Sequence, residues 1–156
     1  MANNYTQLYV QLVFAVSDRA SLIKPEFEER LYKYINGILK KRKHTLIAIN
    51  GPGDHIHILL GLHPEQSISD LVRDIKTNSS KFINDSKLIN GRFEWQRGYG
   101  AFSYSKSHVP QVKAYIDNQK EHHAKWSFEK EMKHILDMLG ISYEDEYMFK
   151  WIVTEY

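Results

Sequence analysis

Midway along the chain, two short apolar runs, residues 45–49 (TLIAI) and 55–62 (HIHILLGL), stand on either side of the segment NGPGD at 50–54. Runs rich in β-branched residues favour strands, and Gly-Pro-Gly punctuates them. A five-residue connection suits an antiparallel hairpin. Helical patterns flank this hairpin. After Pro25, the residues Phe27, Leu31, Tyr34, Ile35, Ile38 and Leu39 recur at steps of three and four; after Ser67, so do Ile68, Leu71, Val72, Ile75, Phe82 and Ile83. Each series makes one apolar stripe of a helix, opened by a first-turn proline in one case and a serine cap in the other.

Upstream, residues 9–16 (YVQLVFAV) read as a first strand. Downstream, residues 93–105 (FEWQRGYGAFSYS) read as a fourth, bulged or interrupted near Gly98 and Gly100. A third helix is expected after Pro110. A fourth is expected from Ser127, with Phe128, Met132, Ile135, Leu136 and Leu139 as its stripe and Gly140 at its end. The order strand, helix, strand, strand, helix, strand, helix predicts an α+β, ferredoxin-like fold. Its split βαβ antiparallel sheet would carry helices on one face, with an added C-terminal helix. A length of 156 residues, with no repeat or linker, suits a single domain over 1–156.

Apolar residues make up 42% and charged residues 26%, which supports a globular core and argues against a disordered or collagen-like chain. Absence of cysteine excludes disulfides, thiolate zinc sites and a cysteine nucleophile. The net charge of +2 hides an asymmetry: residues 1–110 carry +5 and residues 111–156 carry −3. The start MANNYTQLYVQL has no signal-peptide pattern, and no apolar run approaches the roughly 20 residues that span a bilayer. A cytoplasmic protein with no membrane partner is expected. The basic run at Lys40, Lys41, Arg42 and Lys43 either stabilises the end of a helix through its dipole or meets phosphate.

Two residue pairs could carry chemistry. His55 and His57 lie two apart on a predicted strand, so both imidazoles share a face and could bind a divalent metal, or could be hydrogen-bonded or surface histidines. On the third helix, Val112, Tyr115, Ile116 and Gln119 share a face. Tyr115 could be a core aromatic with its hydroxyl at the edge. Gln119 is the oddity, because an amide on an apolar stripe must find a partner; a metal is one candidate.

These residues resemble the single-tyrosine HUH transposases of the smallest bacterial insertion sequences and their chromosomal relatives, the REP-associated tyrosine transposases. The likeness rests on His55-Ile56-His57 inside GDHIHILLGL and on Tyr115 and Gln119 inside VKAYIDNQKEHH. It extends to WQRGYGAFSYS before that helix and SISDLVRDIKTNSSKFIN as the central helix. It covers roughly residues 9–119 in the family's order.

The resemblance implies cleavage and rejoining of single-stranded DNA, with Tyr115 attacking the scissile phosphate to form a 5′-phosphotyrosine. A divalent ion, Mg²⁺ or Mn²⁺, would be held by His55, His57 and Gln119. It further implies recognition of DNA hairpins near element ends and action as a homodimer. Exchange of one phosphodiester for another needs no nucleotide cofactor, and no G-x-x-x-x-G-K-[ST] loop is present. Arg73, Lys76, Lys81, Arg92 and Arg97 are candidate phosphate contacts, and Trp95 or Tyr99 candidate base-stacking residues, each with a surface or packing role as the alternative.

Three other readings compete. A non-catalytic ferredoxin-like module could stack single-stranded nucleic acid on aromatics, although the aromatic strand signature of an RRM is missing. A domesticated relative could nick and join chromosomal repeats. A metal-dependent hydrolase could use His55 and His57 to direct water, with no covalent intermediate.

Overall fold

The computed structural model describes residues 4–20, 22–123 and 126–143. Residues 144–156, the end of the acidic C-terminal segment, lie outside the described residues. The elements follow the expected order: β1 (Tyr9–Ala15), α1 (Pro25–Lys41), β2 (Thr45–Asn50), β3 (His55–Gly61), α2 (Ile68–Asp85), β4 (Gly100–Tyr104), α3 (Val109–Asp117), α4 (Gln119–His122) and α5 (Phe128–Met138). The strands form one antiparallel sheet in the order β2-β3-β1-β4, the ferredoxin-like arrangement in which β3 is inserted between β1 and β2. No helix among the described residues is long and apolar enough to cross a membrane.

Alternation along β1 and β3 divides the core. Val10, Leu12 and Phe14 join Ile56, Ile58 and Leu60 on one face, beneath the buried stripes of α1 (Phe27, Leu31, Ile35, Leu39) and α2 (Leu71, Val72, Ile75, Ile83). Each such side chain contributes roughly 1.5–3 kcal/mol on burial. This is the expected helical layer. The structure adds a second layer on the other face, where Val13, Ala15 and Phe102 pack on α5 and Leu59 and Ala48 pack on Ile116 of α3. The reason is visible in β1 and β3, which are buried along nearly their whole length and so require cover on both faces.

The fourth strand is interrupted as its glycines suggest. Trp95 makes a single antiparallel bridge to Val16, Gly98 turns through φ +87°, and pairing with β1 resumes at Gly100. Lys76 Nζ holds the break together by donating to the carbonyls of Gln96 and Gly98, 2.7 Å each. Helix ends also follow local chemistry. Ser67 Oγ accepts from Asp70 N and Ser127 Oγ from Lys130 N, both N-caps. At the end of α5, Gly140 takes φ +67°, its N–H donates to Asp137 O, and Ile141 N–H donates to Leu136 O.

Candidate metal and nucleophile site

The turn before β3 places the histidines. Gly51 packs so closely on the strand that a Cβ there would overlap the carbonyl oxygen of His55, and the turn is tied down by Val16 N–H donating to Asp54 O at 2.8 Å. From this start, His55 and His57 project to the face of the sheet opposite α1 and α2. There they stand beside Ala15 and Val13, their register partners on β1, whose small side chains leave room for the rings. Both imidazoles are fully buried.

Their outer nitrogens are occupied differently. His55 Nδ1 lies 2.7 Å from Asp54 Oδ1. Burial works to lower the pKa of His55, but the hydrogen bonds to Asp54 and Glu131 carry it above the ordinary value. His57 Nδ1 accepts from Gln11 Nε2 at 2.9 Å, and Gln11 Oε1 in turn accepts from the Tyr104 hydroxyl at 2.9 Å. For His57 burial dominates, and its pKa is lowered.

The tyrosine reaches the same place from α3. Ile116 anchors that helix on Ala48 and Leu59, and Asn50 Nδ2 donates to Asp117 O at 3.1 Å. The helix breaks at Asn118 and resumes as α4, which Lys120 pins to Glu28 (2.9 Å) and to Asn50 Oδ1 (3.0 Å). Tyr115 and Gln119 therefore belong to two consecutive helices rather than one. They still converge: the Tyr115 ring centroid is 5.8 Å from that of His57, and Gln119 is fully buried beside them.

The residue that joins these parts is Glu131 on α5, which sequence reasoning did not single out. Its Oε1 lies 3.0 Å from His55 Nε2, 3.0 Å from His57 Nε2 and 2.9 Å from His123 Nε2. Its Oε2 accepts from the Tyr115 hydroxyl and, at 3.1 Å, from Gln119 Nε2. Burial works to raise the pKa of this carboxylate, but the surrounding imidazoles, His57 foremost, hold it far below the usual range. Burial and the negative charge of Glu131 together push the Tyr115 phenol above its ordinary value, so it is held in its neutral form. A signal for Glu131 existed: it falls on the α5 stripe, three residues after Phe128 and beside Met132, where a carboxylate must find partners.

His55, His57, His123 and Glu131 bring ligand atoms within 4.8 Å of one another. Two further observations fit a cation here. His123 Nε2, though close to Glu131, makes no hydrogen bond, and buried Gln119 Oε1 has no hydrogen-bond partner. Buried polar atoms are seldom left in this state. Tyr115 also borders an open cleft of about 370 Å³ lined by Asn118, Glu121, His122 and Trp126.

Several candidate DNA contacts are otherwise engaged. Lys76 is committed to the carbonyls at the β4 break, and burial lowers its pKa to about 8. Trp95 packs edge-on against Phe14 and Phe93 and donates to Ser79 Oγ at 2.8 Å, so its ring belongs to the core rather than to a stacking surface. Arg73 and Arg92 pair on the surface with Asp70 and Glu94. Lys81, Arg97 and Tyr99 are exposed. The basic run at 40–43 closes α1, with Lys43 at φ +65° and Arg42 4.0 Å from Asp74.

A family model described as IS200-like transposase matches residues 4–119. Among curated proteins, the ISDra2 transposase TnpA of Deinococcus radiodurans is 26% identical over 121 residues, which cover 74% of this chain and 86% of that protein. Among solved structures, a transposase from Deinococcus radiodurans superposes with a TM-score of 0.61 at 23% identity, over 76% of this chain and 95% of the other. A REP-associated tyrosine transposase bound to a REP hairpin superposes with a TM-score of 0.59 at 15% identity, over 79% and 73%.

Proposed function

Since the chain belongs to the IS200-like transposase family, we propose that it cuts and rejoins single-stranded DNA, with Tyr115 as the nucleophile and a divalent metal ion held by His55, His57 and Gln119. The observation that carries this reading is the meeting of Tyr115, Gln119 and both β3 imidazoles on one buried carboxylate within a single chain.

A bound cation would polarise a non-bridging oxygen of the scissile phosphate and stabilise the departing 3′-oxygen. The chain's own groups do the rest. The cleft beside Tyr115 admits the strand, with the indole of Trp126 and the ring of His122 on its wall. Tyr115 Oη attacks phosphorus; the Oη–P bond forms as the P–O3′ bond breaks, leaving a 5′-phosphotyrosine and a free 3′-hydroxyl. The phenol proton passes to one of the acceptors already beside it, Glu131 Oε2 or His122 Nε2 at 3.4 Å, and the 3′-oxygen takes up a proton from water. A second 3′-hydroxyl attacking the phosphotyrosine reverses these changes and completes strand transfer.

A DNA hairpin is the proposed recognition element, because one structural relative is a tyrosine transposase bound to a REP hairpin. Homodimerisation, also expected of the family, is part of the same proposal, with the tyrosine helix completing either its own or the partner subunit's metal site.

Incubation with single-stranded DNA carrying hairpins, plus Mn²⁺ or Mg²⁺, should yield a protein–DNA adduct that survives denaturation. The adduct should vanish with Tyr115→Phe or chelator and fall sharply with His57→Ala. Persistence in Tyr115→Phe would exclude the nucleophile assignment, and cleavage without adduct would favour a hydrolase. Unchanged DNA binding with no cleavage by the wild type would favour a binding module.

A further inference from the structure

We infer that Asn50, Lys120 and Glu28 form a clasp across the break between α3 and α4, and that these positioning residues set where the Tyr115 hydroxyl stands relative to the β3 histidines. The inference rests on the proposed tyrosine chemistry and adds groups that act through Tyr115 rather than on the DNA.

The break makes a clasp necessary. Tyr115 precedes it and Gln119 follows it, with Asn118 between the two helices at φ −96° and ψ 15°. Any change of angle there moves the phenol and the amide apart. A helix as short as α4 (Gln119–His122) cannot fix that angle by itself, because isolated helices of fewer than about 12 residues are marginal in water. Side chains from elsewhere must supply the constraint.

One amide spans the break. Asn50 Nδ2 donates to the carbonyl of Asp117, the last residue of α3, at 3.1 Å, and Asn50 Oδ1 accepts from Lys120 Nζ of α4 at 3.0 Å. Asn50 closes β2 and is the register partner of His57 on β3. A single side chain therefore ties both halves of the tyrosine segment to the strand position beside a histidine of the site.

Lys120 completes the clasp. Besides Asn50, its ammonium donates to Glu28 Oε1 at 2.9 Å and to Gly51 O at 3.4 Å, so all three of its N–H groups are directed at acceptors. Glu28 lies on α1, which covers the opposite face of the sheet, and its side chain is only 20% exposed. The ion pair passes around the end of the sheet and fastens the tyrosine segment to the main core. Positioning of this kind shows in the chemical step, since displacing a reacting atom by about 1 Å can cost roughly 100-fold in rate.

The test compares the full chain with its Lys120→Met, Glu28→Gln and Asn50→Ala variants on hairpin-bearing single-stranded DNA with Mn²⁺. In single turnover, each substitution should slow adduct formation by about tenfold or more, while the dissociation constant for the DNA changes by less than about twofold. Lys120→Met combined with Glu28→Gln should be no slower than the slower single variant, because the two share one interaction. Hydrogen exchange should quicken at the amides of residues 115–122 and stay unchanged along β1 and β3. If Asn50→Ala disturbs the strands, the other two substitutions, on α4 and α1, carry the comparison. Weaker DNA binding with a shallower salt dependence in Lys120→Met would make Lys120 a phosphate contact and overturn the inference. Adduct rates and exchange equal to those of the wild type would also overturn it. A wild type that forms no adduct would overturn the proposed reaction alone, and the clasp would then stand or fall on the exchange of residues 115–122.

Discussion

Gln11 Nε2 lies 2.9 Å from Nδ1 of His57, on the side of the ring away from Glu131. Gln11 is itself buried on β1 and bonded to the Tyr104 hydroxyl of β4, so three strands cooperate in orienting one imidazole. In this orientation of the amide, a neutral His57 carries its proton on Nε2. A half-turn of the amide would let its oxygen accept from Nδ1–H instead, freeing Nε2 for a metal, with Tyr104 still paired. Gln11→Leu removes this control. Metal affinity should fall by about 10–100-fold, measured by calorimetric titration with Mn²⁺; unchanged affinity would show that Gln11 serves only packing.

Gly51 sets the start of β3. A methyl group there would overlap the His55 carbonyl and press on Ile56 Cα at 3.2 Å, and backbone atoms cannot step aside cheaply. Gly51→Ala should destabilise the fold by about 3 kcal/mol or more in urea unfolding, and should weaken metal binding in whatever fraction remains folded. A variant as stable as the wild type would mean that the turn can shift without moving the histidines.

Trp95 and Tyr99 separate packing from DNA contact. Trp95→Ala should cost about 3–5 kcal/mol of stability, because its ring fills the space between Phe14 and Phe93 and its indole N–H is paired. Tyr99 is 39% exposed, and Tyr99→Ala should leave the thermal midpoint nearly unchanged. Of the two, only Tyr99→Ala is expected to weaken binding of single-stranded DNA at temperatures where both variants are folded; gel-shift titration distinguishes them.

Lys76 gives a pH dependence with a definite sign. Burial lowers its pKa from 10.5 to about 8 in the folded chain. Between those values the unfolded chain binds more protons than the folded one, so this residue's contribution makes stability rise with pH across that window. Urea midpoints at pH 7.5 and 9.5 should show this rise in the wild type relative to Lys76→Met. Parallel pH profiles for the two proteins would indicate that the bonds to Gln96 and Gly98 keep the ammonium charged throughout.

Much of the fold could be read along the chain because its signals are local. Periods of 2 and 3.6, the Gly-Pro-Gly turn and the Ser67 and Ser127 caps act within a few residues, and each appears where its chemistry requires. Cover over the second sheet face is different, because which helices supply it to Val13, Ala15, Phe102, Leu59 and Ala48 depends on packing over long separations.

The site divides in the same way. His55 with His57, and Tyr115 with Gln119, are close in sequence, so strand and helix geometry alone could bring each pair together, and the helix break at Asn118 does not separate the second pair. Glu131 is different. On its own helix it is one of two acidic residues in the first turn, a common surface pattern that also complements the helix dipole. Its place on the apolar stripe sets it apart from Glu129 but does not say which groups it meets. Only when α5 packs its Phe128 and Met132 against Val13, Ala15 and Phe102 does this carboxylate enter a space already occupied by three imidazoles, an amide and a phenol. The strands, the helices and the two residue pairs follow from interactions of short range along the chain. Tertiary structure decided that they share one centre, because a buried charge is tolerable only where groups from distant elements meet to neutralise it.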